Sequence, residues 1–296
     1  GVSRAFHRTG RRDRHVVAVV GDGALTGGMT WEALNNISDD NDRNLVIVVN
    51  DNGRSYAPTI GGMARYLNRV RTNEAYRHLH RSSDTLFRRL GPAARAVYRG
   101  VRGGTHGFLS RFTNNEALYS NLDIKYLGPI DGHDFESLIE TLELAKSYGA
   151  PVIVHAITDK GSGYAPALSD EADQFHAVGK IDPITGGALG SGGGPQWTDV
   201  FAEELTAVGA ERDDVIAMTA AMLRPTGLQS FAERFPERVY DVGIAEQHAV
   251  ASAAGLAFGG LHPVVAIYAT LMNLSLITIL RCRRPTLCRS RWSPYH

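Results

Sequence analysis

Cysteine is nearly absent. The 296 residues contain two, Cys282 and Cys288, which excludes a disulfide-stapled secreted module. Their Cys-x5-Cys spacing has no matching His or Cys set, so it predicts no zinc site. An excess of either charge is missing too: 31 Lys and Arg face 31 Asp and Glu, which argues against a uniformly basic nucleic-acid binder. With 43% apolar and 21% charged residues, the composition argues against a disordered chain. Gly1–His15 carries five Arg but no apolar run, so it is not a secretory signal. From Ala249 to Leu280 there is no Asp, Glu, Lys or Arg, a run longer than the ~20 residues that cross a bilayer. Gly259, Gly260, His262 and Pro263 interrupt it. The run therefore predicts a buried helix (249–258), a turn, a buried strand (264–268) and another apolar helix, with no membrane partner.

The charge balance conceals two biased stretches. Arg54–Phe112 holds twelve Arg, no Lys and two acids (Glu74 and Asp84), a net +10. It lacks clustered aromatics and is broken by Gly91-Pro92 and Gly103-Gly104. It reads as a solvated excursion rather than a nucleic-acid footprint. Arg281–His296 has five Arg and no acid, and forms an atypical cationic tail.

Between these stretches, apolar patterns alternate. Val16–Val20, Leu45–Val49 and Pro151–Ile157 are β-branched runs of buried-strand type. Gly28–Ile37 places Trp31, Leu34 and Ile37 on one helical face. Asp134 is a predicted N-cap for a helix over 135–148, with Leu138, Leu142 and Ala145 facing the core. Gly186–Pro195, with six Gly and one Pro, is the best linker. After it the alternation resumes: helix 197–208, strand 215–218, strand 239–242, helix 245–258, strand 264–268. The fold class is α/β, with two doubly wound parallel-sheet domains, the second incomplete. The expected domains are 1–190, with the Arg-rich excursion at about 54–112, and 195–280, followed by the tail 281–296.

The strongest chemical signal is Gly21-Asp22-Gly23 with Asn50-Asp51-Asn52 downstream. One helix and one strand lie between them. Adjacent parallel strands would bring Asp22 and Asn52 together at the carboxyl edge of the sheet, where open α/β sheets bind ligands. Gly23 and Ala24 sit in a tight turn whose N–H groups can face a phosphate. A carboxylate, an amide oxygen and a backbone carbonyl are hard donors that suit Mg²⁺ bridging phosphates. The bland alternative is an ordinary Gly-Asp-Gly turn; the paired Asn-Asp-Asn weighs against it.

Gly21-Asp-Gly-Ala-Leu-Thr-Gly-Gly-Met29 with Asn50-Asp51-Asn52 resembles the cofactor motif of thiamine diphosphate enzymes, and more narrowly the 1-deoxy-D-xylulose-5-phosphate synthase family. Four further segments share the resemblance in the same order: Gly128-Pro-Ile-Asp-Gly-His-Asp134, Lys160-Gly-Ser-Gly-Tyr164, Phe175-His-Ala177 and Val242-Gly-Ile-Ala-Glu-Gln-His248. It extends from residue 1 to about 273.

The resemblance implies a thiamine-diphosphate-binding fold and a transketolase-type transferase. That enzyme would condense pyruvate with glyceraldehyde 3-phosphate to 1-deoxy-D-xylulose 5-phosphate, with loss of carbon dioxide. It implies Mg²⁺ held by Asp22, Asn52 and the carbonyl of Arg54, and diphosphate at Gly23 and Ala24. Tyr164 would lie along the cofactor, and Lys160 and His176 near cofactor or substrate. Glu246 would meet the aminopyrimidine ring. A cytoplasmic homodimer is also implied. Glu246 has an independent case: it starts an apolar helix after a strand end, where burial would favour the neutral acid. The bland alternative there is a glutamate favoured by the helix dipole. His133 and His248 are substrate-side donors or hydrogen-bonded structural residues, Tyr164 is a cofactor contact or a packing aromatic, and Lys160 is by default a solvated cation.

Departures from the family also carry expectations. The family has an N-terminal portion ahead of Gly1 and an Arg at the position of Leu274, and it continues through a third domain. The tail suggests a frameshift or a genuine cationic extension. Two alternatives to the enzyme therefore stand: a non-catalytic fragment of it, or another thiamine diphosphate enzyme such as a transketolase or a 2-oxo acid dehydrogenase component.

Overall fold

The computed structural model describes residues 1–39, 42–54, 58–62, 65, 67, 122, 124–190, 194 and 196–272. Most of the Arg-rich stretch, Leu274 and the tail lie outside the described residues. The chain divides into two compact units. One comprises the described residues of Gly1–Leu25, Met29–Gly53 and Gly62–Asp159; the other those of Thr26–Gly28, Arg54–Gly61 and Lys160–His296. The main division therefore falls at Asp159/Lys160, ahead of the Gly-rich segment, and residues 160–190 belong with the second unit.

The first unit contains α1 (Val2–Arg8), β1 (Val16–Gly21), α2 (Gly28–Ser38), β2 (Leu45–Asp51), β3 (Lys125–Asp131), α3 (Phe135–Ser147) and β4 (Val152–Ile157). A short 3-10 turn, Asp22–Thr26, joins β1 to α2. The sheet order is β1-β2-β4-β3, and every pairing is parallel. The two-residue alternation of β2 explains how both its faces are buried. Leu45, Ile47 and Val49 pack with Leu34, Trp31 and Ile37 of α2. Val46 and Val48 pack with Val152 and Val154 and with Leu138, Leu142 and Ala145 of α3. Helices on both faces make this a doubly wound sheet. Asp134 caps α3 as expected, accepting the N–H groups of Glu136 and Ser137 at 3.1 and 3.4 Å.

Strand β3 was not legible in the sequence, because Gly128 and Pro129 interrupt its apolar pattern. Packing explains it. A Cβ on Gly128 would lie 2.6 Å from the carbonyl oxygen of His155, so only glycine lets β3 run this close to β4. The register slips by one residue between Leu127 and Ile130.

The second unit contains α4 (Ala165–Ser169), α5 (Trp197–Glu211), β5 (Val215–Thr219), α6 (Gln229–Arg234), β6 (Val239–Asp241), α7 (Glu246–Phe258), β7 (His262–Val265) and α8 (Ala269–Met272). Its parallel sheet has the order β6-β5-β7. Leu205, Phe231, Leu228 and Val215 form one core cluster; Ile216, Met218 and Ala253 form another.

The uncharged run 249–280 differs from expectation in burial. Only Ala249 and Ala253 of α7 are buried, and Phe258 is 93% exposed. The strand starts at His262, ends at Val265 and is at most half-buried. The reason is topological: among the described residues β7 is an edge strand, and α7 contacts it through a narrow face of small residues. No described helix is long and apolar enough to cross a membrane.

Candidate functional site

In the first unit the site grows from the ends of β1 and β2. Their register pairs Gly21 with Asn50, so Asp22 and Asn52 leave the sheet side by side. Asp22 is buried at 2% exposure. Its Oδ1 lies 3.4 Å from the backbone N–H of Asn52, which donates to it. Gly23 is buried in the 3-10 turn with it. The carbonyls of Ala24 and Leu25 are occupied by α2: Thr30 Oγ1 donates to the first at 2.8 Å and Trp31 Nε1 to the second at 2.9 Å. Gly21 is not required by packing or backbone. A Cβ there would meet no heavy atom within 4 Å, and its φ is not positive.

Below this edge lies a polar layer that sequence reasoning missed. Thr158 Oγ1 donates to Asn50 Oδ1 at 2.6 Å. His155 Nε2 lies 3.0 Å from Asp51 Oδ2, and Tyr126 Oη 2.6 Å from His155 Nδ1. The available signal was His155 itself, an ionisable residue inside an apolar strand. The Gly128–Asp134 motif serves the same edge. A Cβ on Gly132 would fall 2.5 Å from Thr158 Cγ2, and His133 Nε2 accepts the N–H of Asp159 at 2.8 Å.

In the second unit, Lys160 Nζ donates to the carbonyl of Asp173 at 2.7 Å and lies 3.1 Å from His176 Nδ1. Partial burial, then the Lys160 ammonium, push His176 below the usual imidazole range, while Asp173 opposes them. The loop between them is held by Asp170, whose Oδ2 accepts the N–H groups of Asp173 and Phe175 at 3.1 and 3.3 Å. Those hydrogen bonds, Asp173's first, hold the Asp170 carboxyl below its ordinary value. Arg54 reaches the same loop, donating to the carbonyls of Ala172 and Glu171 at 2.6 and 3.1 Å. Tyr164 precedes α4 and stands edge-on to Phe175, with ring centroids 5.9 Å apart. Its hydroxyl is buried and has no hydrogen-bond partner among the described residues.

Glu246 is the first residue of α7 and is half-buried. The loop before it is fixed at two points. Asp241 Oδ1 accepts the N–H groups of Ala221 and Gly243 at 2.8 and 3.0 Å, and Thr26 Oγ1 accepts that of Ile244 at 3.0 Å. His248 is exposed.

The structure thus pairs Asp22 with Asn52, Lys160 with His176, and Arg54 with the 171–172 carbonyls. Among the described residues no group of three or more His, Cys, Asp or Glu could hold a metal. The set at the strand ends is of another kind: one carboxylate and one amide, both oxygen donors. It fits Mg²⁺, which takes one or two carboxylates and completes its octahedron with phosphate oxygens and water.

Two parallel-sheet units with helices packed on them define a protein of the α/β class, and the matched family model makes it one of the transketolase type. Residues 193–289 match the family model "Transketolase, pyrimidine binding domain". Residues 1–158 match the model for 1-deoxy-D-xylulose-5-phosphate synthase, and the chain belongs to that family. Among its relatives, the 1-deoxy-D-xylulose-5-phosphate synthase of Leifsonia xyli subsp. xyli is 71% identical over 280 residues. Those of Clavibacter sepedonicus and Tropheryma whipplei are 67% and 60% identical over 280 and 276 residues. The alignments cover 95%, 95% and 92% of this chain but only 43%, 43% and 44% of the three relatives, so the chain spans less than half their length. A transketolase structure from Campylobacter jejuni overlaps 85% of this chain and 42% of its own at 14% identity and a TM-score of 0.31, too slight a likeness to bear on the fold.

Proposed function

We propose that the chain carries cofactor-binding elements of a transketolase-type transferase. Its reaction is the thiamine diphosphate-dependent condensation of pyruvate with glyceraldehyde 3-phosphate to 1-deoxy-D-xylulose 5-phosphate, a precursor for isoprenoids, thiamine and pyridoxal. Family membership supports the reaction, and with it a cytoplasmic homodimer. The single observation that carries the site is the buried Asp22 carboxylate beside Asn52 at the carboxyl edge of a parallel sheet.

In this reading Asp22 and Asn52, with the carbonyl of Arg54, hold Mg²⁺, while Gly23 and Ala24 offer backbone N–H groups to the diphosphate. The cofactor, when bound, would supply a nucleophilic carbon and a cationic thiazolium ring that takes up the electron pair left by decarboxylation. Glu246 holds a proton toward the aminopyrimidine ring. Tyr164 lies along the cofactor, and its orphaned buried hydroxyl is of the kind a ligand satisfies. Lys160 brings a positive charge for carboxylate or phosphate. His176, biased toward its neutral form, can accept a proton beside it.

Calorimetric titration of the 296-residue chain with thiamine diphosphate and Mg²⁺ tests the site. Binding that Asp22→Ala abolishes is expected. A folded chain that binds nothing, or an Asp22→Ala variant that binds as well as the parent, overturns the assignment.

A further inference from the structure

We infer that His155 is a positioning residue for the metal-holding edge, acting through Asp51; the inference rests on the reading of Asp22 and Asn52 given above. Three adjacent strands each contribute one polar side chain to a single cross-sheet chain. Tyr126 comes from β3, His155 from β4 and Asp51 from β2, at 2.6 and 3.0 Å. Asp51 is fully buried and His155 is 2% exposed. With Asp51 ionised and the imidazole neutral, His155 Nε2–H donates to Asp51 and Nδ1 accepts the Tyr126 hydroxyl. In that state the donors run one way, from Tyr126 through His155 to Asp51.

Buried polar side chains are costly unless paired, so a lone pair here would serve mainly strand registry. The location argues for more. Asp51 is the last residue of β2 and precedes Asn52 directly. The same strand end is pinned twice more by β4's continuation: Thr158 N–H donates to the Asp51 carbonyl at 2.9 Å, and Thr158 Oγ1 to Asn50 Oδ1 at 2.6 Å. Asn52 in turn sets its N–H on Asp22. His155 therefore holds one carboxyl oxygen of the residue between Asn50 and Asn52. Gly128 lets β3 close against β4 at this level, since a Cβ there would also come within 3.1 Å of His155 Cβ. Without the imidazole, Asp51 loses the hydrogen bond that His155 makes to its Oδ2, one residue before Asn52.

The test uses the full chain and Mn²⁺ as a probe for Mg²⁺. Free Mn²⁺ is followed by electron paramagnetic resonance in the presence of thiamine diphosphate, and thermal melts are recorded alongside. His155→Leu is expected to weaken Mn²⁺ binding about tenfold or more, and His155→Gln, which can donate to Asp51 and accept from Tyr126, to restore it to within about threefold. Val154→Ala, a cavity in the same strand on the opposite face, is the stability control: it should lower the melting temperature and leave the affinity unchanged. Unchanged affinity in His155→Leu overturns the inference, as does equal weakening in Val154→Ala. Should His155→Leu not fold, Tyr126→Phe decides: binding weakened about threefold supports the relay, and unchanged binding overturns it. Asp22→Ala separates the two layers of argument. Unaltered binding there overturns the metal assignment and this inference with it. Lost binding there, with unaltered binding in His155→Leu, overturns the positioning role alone.

Discussion

Lys160 Nζ stands 3.1 Å from His176 Nδ1 and also donates to the Asp173 carbonyl at 2.7 Å. Both are cationic when protonated, so the shared hydrogen bond exists only while the imidazole is neutral. Partial burial and the ammonium lower the His176 value from 6.5. A base lowered on folding contributes stability that is whole above its unfolded value. That contribution is lost as pH falls from there toward the folded value. The His176 ring resonances, followed by NMR, should titrate below 6.5, and Lys160→Met should move the midpoint upward but not fully back, because burial remains. A midpoint unmoved by Lys160→Met would remove the pairing.

Glu246→Ala tests the catalytic half of the reading. In the proposed reading Glu246 serves the aminopyrimidine ring and not the Mg²⁺, so cofactor binding with Mg²⁺ should weaken far less than in Asp22→Ala. In the complete enzyme, turnover should fall at least about a hundredfold, the low end for a positioned acid–base group. Near-normal turnover with cofactor bound would remove Glu246 from the mechanism.

Asp134 holds the start of α3 through Glu136 N–H, Ser137 N–H and Ser137 Oγ, the last at 2.8 Å. Asp134→Ala should cost about 1 kcal/mol, as for other N-caps. Denaturant unfolding should show an earlier midpoint with an unchanged slope.

Gly128→Ala should be the more damaging change. Its φ of 130° is unfavourable for any L side chain, and the new Cβ would sit 2.6 Å from the His155 carbonyl oxygen, a backbone atom that cannot rotate away. A loss of about 1–3 kcal/mol is expected from overpacking alone. Thermal unfolding of Gly128→Ala within one degree of the parent would contradict the close approach of β3 and β4.

Much of the first unit is legible locally. Val16–Val20, Leu45–Val49 and the 151–157 run announce strands by β-branched apolar content, and each became one within a residue or two of its expected ends. Asp134 announces a helix start, because an N-cap bond spans only two or three residues. Asp22 and Asn52 were placed together from the lengths between them, because a strand–helix–strand unit returns to its own edge. The burial of α7 is not legible for the opposite reason: an uncharged run reports what could be buried, while the neighbours decide what is.

The sequence by itself determined which segments extend or coil and which polar residues stand at strand ends, since these follow from propensity and periodicity over a few residues. Only the tertiary structure decided that β4 inserts between β2 and β3, though β3 precedes it in the chain. It also decided that Asp51 meets His155, 104 positions away, and that His155 meets Tyr126, 29 positions away. A strand's period tells which face a side chain takes; the strand beside it, and hence the partner, is settled by packing across the whole sheet.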